Sequence, residues 1–158
     1  MRVFQTKGVF LNDIAYMRHA IRLAHLAESA GEVPVGAILV KDDVVIGEGW
    51  NRPIVDNDPT AHAEIMAIRE AGEAVSNYRL LDTTLYVTLE PCLMCVGAMV
   101  HARVGRVVFG AVDPKRGAIV SALQLSELQF LNHQVPWISG VLSGECSQLL
   151  TNFFKQRR

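Results

Sequence analysis

Apolar residues recur at helical spacing near the beginning of the chain. They follow Asn12 and Asp13, either of which can cap a helix, and they predict a helix that ends near Gly31. Two short apolar runs come next, at 36–40 and 44–49, and three polar residues separate them. Two such runs joined by a short polar segment are typical of a β-hairpin.

The pattern then alternates between strands and helices. Residues 51–60 are mostly polar and contain two prolines, which predicts a loop. Helical spacing resumes at His62 and ends near Gly72, and the run 83–89 has the β-branched and apolar character of a buried strand. Pro91 suits the first turn of a further helix to about Arg103. The remaining predicted elements are a strand at 106–111, a partly helical segment at 121–132, a strand at 134–141 that Pro136 confines to a sheet edge, and a helix at 144–158.

This order of elements predicts an α/β fold. Strand–helix–strand alternation after the hairpin implies parallel neighbouring strands with helices on both faces of the sheet. We therefore expect a three-layer α/β/α sandwich around a mixed five-stranded sheet. The 158 residues have an ordinary globular composition, half of them apolar, and we expect a single domain over 1–158.

Charge and hydropathy exclude some classes of protein. The formal net charge of −1 provides no large basic field for nucleic acid, although a local basic patch can bind within a neutral total. No run approaches the ~18 uninterrupted apolar residues of a membrane span, and residues 1–12 lack the pattern of a signal peptide. These features predict a cytoplasmic protein with no membrane partner.

Two of the three cysteines occur as Cys92-x-x-Cys95. In a reducing compartment this spacing indicates metal or redox chemistry rather than a structural disulfide. A redox pair is less attractive, because no other feature of a thioredoxin-like unit accompanies it. In the first turn of a helix the two side chains share one face, and the helix dipole favours the thiolate form that zinc requires.

The segment His62-Ala63-Glu64 supplies the other half of the predicted site. His62 is a third zinc ligand of an accepted type, and three protein ligands leave one position open for water, as in a catalytic site. Glu64 is then the candidate base. Positions two apart on a regular helix point roughly 200° from each other, so His62 and Glu64 can converge only at the N-terminal end of their helix. A structural zinc module without catalysis is the alternative, but it gives Glu64 no role.

These residues resemble a known signature. His62-x-Glu64 with Pro91-Cys92-x-x-Cys95 is similar to the motif of the cytidine deaminase-like superfamily. Longer segments, over most of 14–158, resemble the bacterial tRNA adenosine deaminases within that superfamily. The segments are Glu32-Val33-Pro34-Val35-Gly36-Ala37, Gly49-Trp50-Asn51-Arg52-Pro53, Asp58-Pro59-Thr60-Ala61-His62-Ala63-Glu64-Ile65, Asn77-Tyr78-Arg79-Leu80, Val87-Thr88-Leu89-Glu90-Pro91-Cys92 and Val107-Val108-Phe109-Gly110-Ala111.

The resemblance implies conversion of adenosine to inosine at the first anticodon position of an arginine tRNA. In that family zinc-activated water attacks C6 of adenine, and the residue matching Glu64 moves the protons. Asn51 matches a residue that contacts the target nucleotide, Asp113 an acidic residue near its sugar, and Phe153 and Phe154 an aromatic pair near the anticodon stem-loop. The resemblance also implies a homodimer with one Zn²⁺ in each subunit.

One rival function and one departure remain open. The metal site is common to deaminases of free bases or nucleosides, such as cytosine or guanine, so these stay as the alternative. After Gly117-Ala118 the family often has a Gly-Ser pair, whereas this chain has Ile119-Val120-Ser121. The change leaves the predicted chemistry intact but concerns the loop near the expected RNA entrance.

Overall fold

The computed structural model describes residues 11–157. Its strands are β1 (Gly36–Lys41), β2 (Val44–Trp50), β3 (Thr83–Leu89), β4 (Arg106–Ala111) and β5 (Trp137–Ser139). Its helices are α1 (Leu11–Ser29), α2 (Pro53–Asp56), α3 (Ala63–Val75), α4 (Leu93–Ala102) and α5 (Ser143–Lys155), with one 3₁₀ turn at Leu125–Glu127.

The five strands form one mixed sheet in the order β2-β1-β3-β4-β5. Strand β1 is antiparallel to both β2 and β3, whereas β3, β4 and β5 run parallel. Helix α4 connects β3 to β4, as a crossover between parallel neighbours requires. The predicted mixed five-stranded sheet is confirmed.

Each face of the sheet has its own apolar core. Successive strand residues point to opposite faces, so Val87 and Phe109 pack among residues of α3 and α4, while Tyr86 and Val108 pack among residues of α1 and α5. The helices therefore cover both faces, and the three-layer α/β/α arrangement is confirmed. Among residues 11–157, no helix combines the length and the apolar character that a bilayer span demands.

The prediction that Asn12 or Asp13 caps the first helix is wrong. Helix α1 already includes Leu11, so both residues lie inside it. Asp13 is only 1% exposed; its Oδ1 lies 2.7 Å from the Arg106 guanidinium and accepts the Tyr86 hydroxyl at 2.7 Å. A buried ion pair with β4 explains this acidic residue better than a cap does.

Several predicted boundaries also change. The loop at 51–60 contains the short helix α2, which Pro53 begins. Helix α4 begins at Leu93, so Cys92 is its N-cap residue. The last strand is shorter than expected but lies at a sheet edge as predicted, and helical structure in 121–132 is confined to the 3₁₀ turn. The predicted last residue of the final helix, Arg158, lies outside the described residues. The predicted lack of a signal peptide concerns residues 1–12, of which 1–10 also lie outside them.

Candidate metal centre

Two helix N-termini carry the predicted ligands. His62 is the N-cap residue of α3, with an extended backbone (φ −72°, ψ 154°), and Cys92 is the N-cap residue of α4 (φ −78°, ψ 175°). Cys95 is the third residue of α4. Both sulfur atoms therefore lie at the positive end of a helix dipole, which favours thiolates.

The three donor atoms have the spacing of a zinc site. Nδ1 of His62 lies 3.5 Å from Sγ of Cys92 and 3.6 Å from Sγ of Cys95, and all three donor atoms lie within 4.8 Å of one another. Tetrahedral zinc with usual bond lengths separates a nitrogen and a sulfur ligand by about 3.6 Å. Zinc thus fits the chemistry and spacing of these side chains.

The local electrostatics suit metal binding and proton transfer. The hydrogen bond from the Cys95 thiol, together with His62, lowers the pKa of Cys92 to about 4, whereas the hydrogen bond to Cys92 and burial raise the pKa of Cys95. The two sulfur atoms therefore share one proton at neutral pH, which a bound metal ion would displace. Glu64 is 4% exposed, and burial raises the pKa of its carboxyl to about 7, against the lowering effect of its own backbone N–H and of His62. The Glu64 carboxyl lies beside the Cys95 thiol. A carboxyl with such a pKa exchanges protons readily near neutral pH.

Asn51 connects the preceding loop to the first turn of α3. Its side-chain Oδ1 accepts the backbone N–H of Ala63 at 3.0 Å, and its Nδ2 donates to the carbonyl oxygen of Val33 at 3.2 Å. Both the oxygen and the nitrogen of the Asn51 side chain therefore already have a backbone partner, and the predicted contact with a nucleotide would be an additional hydrogen bond. This arrangement fixes the segment that carries His62.

Helix α3 lies very close to β2. A Cβ atom at Gly49 would lie 2.2 Å from the carbonyl oxygen of Ala63, a separation that real structures do not show. The same holds at Gly47, 2.2 Å from the carbonyl oxygen of Ala67. Glycine at both positions lets α3 pack directly on the strand, which sets the position of His62 and Glu64.

Sequence reasoning missed the role of Glu90. This residue is 2% exposed, and its carboxylate accepts the backbone N–H groups of Asp113, Ile119, Val120 and Ser121 at 3.0–3.1 Å and the Ser121 hydroxyl at 2.5 Å. Burial raises the pKa of Glu90, but these hydrogen bonds outweigh it and place the pKa below the ordinary value. The motif before Cys92 contained this residue, yet no local pattern reveals which distant backbone it binds. We refer to residues 113–121 as the Asp113 loop.

A second buried carboxylate, that of Glu32, likewise binds backbone N–H groups, in this case those of α2. Glu32 is 3% exposed, and its Oε1 accepts the backbone N–H groups of Ile54 at 2.8 Å and Val55 at 2.9 Å. These groups belong to the first turn of α2, whose N–H donors have no partner within the helix. Glu32 therefore fixes the segment that follows Asn51.

The predicted substrate residues differ in exposure. Asp113 is half-buried, and its Oδ1 accepts the backbone N–H groups of Lys115 and Arg116 at 3.0 and 3.2 Å. Phe153 is 3% exposed, and the Arg157 guanidinium lies 3.6 Å from its ring centre. Its neighbour Phe154 is 48% exposed. Of the aromatic pair, only Phe154 offers an open ring to a ligand.

The third cysteine is separate from the cluster. Cys146 is 1% exposed in α5, and burial raises the pKa of its thiol to about 12. In the part of the chain that the structure describes, His62, Cys92 and Cys95 are the group of three acidic, histidine or cysteine side chains close enough to share one ion.

Comparison with known proteins places this site in a family. Residues 11–111 match the model of the cytidine and deoxycytidylate deaminase zinc-binding region. The chain is 55% identical over 147 residues to the tRNA-specific adenosine deaminase of Haemophilus influenzae. The matched region covers 92% of this chain and 85% of the relative.

Solved structures agree with this result. A structure from a study of A-to-I editing by tRNA:A34 deaminases at the wobble position has a TM-score of 0.84 and 43% identity, covering 86% of this chain and 99% of that one. The guanine deaminase of Bacillus subtilis has a TM-score of 0.62 and 33% identity, covering 90% and 92%. The chain belongs to the zinc-binding cytidine and deoxycytidylate deaminase family and, within it, to the tRNA-specific adenosine deaminases.

Proposed function

We propose that this protein hydrolyses adenosine to inosine and ammonia at the wobble position, the first of the anticodon, in an arginine tRNA. The observation that carries the proposal is the convergence of His62, Cys92 and Cys95 beside a buried Glu64. The 55% identity to an enzyme named for tRNA adenosine deamination directs the choice of substrate.

In the proposal His62, Cys92 and Cys95 are the zinc ligands. Bound there with one position open, zinc supplies a Lewis acid for the activation of water. Glu64 accepts the proton that the attacking water loses as its oxygen bonds to C6 of adenine. The same carboxyl delivers that proton to the ring nitrogen N1, and then takes the remaining proton from the new C6 hydroxyl and gives it to the departing amino group, which leaves as ammonia. Its burial keeps bulk water from competing for these protons.

In the proposal, RNA is contacted by those predicted substrate residues whose side chains are at least partly exposed. The Asp113 carboxylate accepts from a ribose 2′-hydroxyl, which distinguishes RNA from DNA. Asn51 contacts the target nucleotide through its remaining hydrogen-bonding capacity. Phe154 stacks on a base, a contact of about 1–3 kcal/mol. Phe153 supports it from the core, since the two ring centres lie 5.3 Å apart in an edge-to-face pair.

We further propose a cytoplasmic homodimer of single-domain chains, 1–158, with one zinc ion per subunit. A net charge of −1 gives each chain no overall electrostatic attraction for RNA. Dimerisation would place the basic residues of two chains, such as Lys115 and Arg116, against one anticodon stem-loop.

The alternative is deamination of a free base. The structural likeness to a guanine deaminase at 33% identity keeps this function in consideration. The test is to incubate the zinc-loaded protein with total cellular tRNA and to locate inosine by sequencing, with free guanine, cytosine and adenosine in parallel reactions that measure ammonia. Inosine at the first anticodon position of arginine tRNA is the expected result. Ammonia from a free base without inosine in any tRNA would reject the proposal and favour the alternative.

A further inference from the structure

The buried Glu90 carboxylate lies between the metal cluster and the Asp113 loop. Glu90 is two residues before Cys92, and its own backbone N–H donates to the carbonyl oxygen of Ala111 at 2.8 Å, which continues the pairing of β3 with β4. Its position is therefore set by the sheet. The side chain extends from this fixed point into the loop that follows β4.

Both oxygen atoms of Glu90 are occupied by the loop. Oε1 accepts the N–H of Asp113 and the hydroxyl of Ser121, and Oε2 accepts the N–H groups of Ile119, Val120 and Ser121. Several backbone N–H groups that converge in this way form an anion-binding nest. Here the anion is a side chain of the same protein.

The loop surrounds the carboxylate at close range. A Cβ atom at Gly117 would lie 2.3–2.5 Å from the carboxyl atoms of Glu90, so glycine is needed for this approach. The N–H of Ala118 donates to the carbonyl oxygen of Pro91 at 2.9 Å, a second connection to the segment that carries Cys92. Ile119, at the departure from the family pattern, is 4% exposed and packs in the core of α3 and α4.

The hydrogen bonds to Glu90 fix the geometry of the loop as well as stabilising it. Loss of the carboxylate would leave several backbone N–H groups without this acceptor, and hydrogen bonds to a charged acceptor impose one geometry. The Asp113 loop has no helix or strand among its residues. Its shape therefore depends on hydrogen bonds: those to Glu90, the turn that the Asp113 carboxylate forms with Lys115 and Arg116, and the backbone bonds from Gly117 to Asp113 and from Ala118 to Pro91.

We propose that Glu90 is a positioning residue, which fixes the RNA-facing side of the Asp113 loop relative to the zinc ligand Cys92. This role rests on the proposed function, because it assigns the loop to RNA binding. A loop that is ordered before RNA binds loses less conformational entropy on binding. Removal of the charge therefore weakens recognition of the anticodon stem-loop and leaves the zinc ligands and Glu64 in place.

The test compares full-length, zinc-loaded Glu90→Gln with the wild type on an arginine tRNA anticodon stem-loop. The glutamine amide puts an N–H donor where the loop presents donors. We expect KM to rise at least tenfold, kcat to change less than threefold, and the zinc content to stay at one ion per chain. By NMR, amide hydrogen exchange at 119–121 should accelerate at least tenfold. A merely structural role would reduce the folded fraction without changing KM or exchange in the protein that remains folded.

Ser121→Ala covers the case in which Glu90→Gln does not fold, since it removes one hydrogen bond to Glu90. Its KM should rise about twofold to fivefold, with faster exchange at Val120 and Ala118. Ser29→Ala is the matched control, because the Ser29 hydroxyl donates only to the His25 carbonyl on α1, at 2.9 Å. Glu32→Gln should accelerate exchange at 54–55 but not at 119–121.

The outcomes separate the two proposals. An active wild type, together with a folded variant at Glu90 or Ser121 whose KM and exchange rates are unchanged, would overturn the role of Glu90 alone. A wild type that produces no inosine in the stem-loop would overturn the proposed function and this role with it. A uniform loss of kcat at constant KM would also contradict positioning of the RNA-binding loop.

Discussion

Asn51 binds the first turn of α3 through its side-chain oxygen, which accepts the backbone N–H of Ala63 at 3.0 Å. Ala63 directly follows His62 and is fully buried, so its backbone N–H has no access to bulk water. The loop before the helix therefore determines where the imidazole lies. Zinc binding and the stability of this loop should change together.

Asn51→Ala should weaken both zinc binding and the stability of the fold. It leaves the buried N–H of Ala63 without its acceptor, at a cost of about 1–3 kcal/mol in the free energy of unfolding. Urea denaturation measures this loss, and competition with a chelator measures zinc affinity. Asn77→Ala is the control, because the Asn77 side chain accepts an N–H on the exposed surface, from Arg79 at 2.9 Å. Equal, small effects of the two substitutions would contradict the role given to Asn51.

Gly49→Ala should disturb the packing of α3 on β2. The added Cβ would meet the Ala63 carbonyl oxygen at 2.2 Å, and the backbone must shift to accommodate it. Overpacking of this kind costs about 1–3 kcal/mol or more. Gly144→Ala is the matched control, since nothing lies within 4 Å of its added Cβ in α5, and it should be neutral or stabilising. Thermal unfolding of the two variants checks the difference; a Gly49→Ala protein as stable as wild type would refute the close contact.

Tyr86→Phe should destabilise the opposite side of the sheet. The Tyr86 hydroxyl donates to Asp13 at 2.7 Å and accepts from Arg106 at 3.1 Å. Loss of a hydrogen bond to a charged partner costs about 1.5–3 kcal/mol. Tyr16→Phe is the control, because its hydroxyl makes only a 3.3 Å hydrogen bond at the surface. Chemical denaturation should show a much larger loss for Tyr86→Phe, and similar losses for both would contradict this account.

Glu64→Gln should keep zinc and lose turnover by several orders of magnitude. The amide has nearly the shape of the carboxyl but cannot shuttle protons. Zinc analysis and single-turnover assays on the anticodon stem-loop measure the two properties separately. Glu70→Gln is the control on the same helix, at an exposed position, and should behave like the wild type. Substantial turnover by Glu64→Gln would count against the proton-shuttle role.

Local patterns predicted much of this molecule. The alternation of apolar runs was enough for β1 to β4 and for the helices α1, α3, α4 and α5, because those signals depend on near neighbours. The expected convergence of His62 with Cys92 and Cys95 came from residue types at two helix N-termini, and the structure brings their donor atoms within 4.8 Å of one another. Helix ends are local features, and this made the prediction feasible.

Long-range polar contacts were beyond the sequence. Asp13 and Arg106 are 93 residues apart, so an acidic residue at the beginning of a helix was mistaken for a cap. Glu90 was part of a motif, but its partners come from a loop without periodic pattern. The aromatic pair on α5 was identified, yet which ring is exposed depends on how α5 packs against the sheet. Each of these facts depends on the tertiary arrangement.

Zinc K-edge X-ray absorption of the purified protein tests the central claim most directly. Ligation by His62, Cys92 and Cys95 predicts one zinc ion per chain with two sulfur neighbours at about 2.3 Å and two nitrogen or oxygen neighbours at about 2.0–2.1 Å, one of which exchanges with solvent. His62→Ala should lose the ion. Two results would contradict the account: a fourth protein ligand that leaves no position for solvent on the zinc, or full zinc occupancy in His62→Ala.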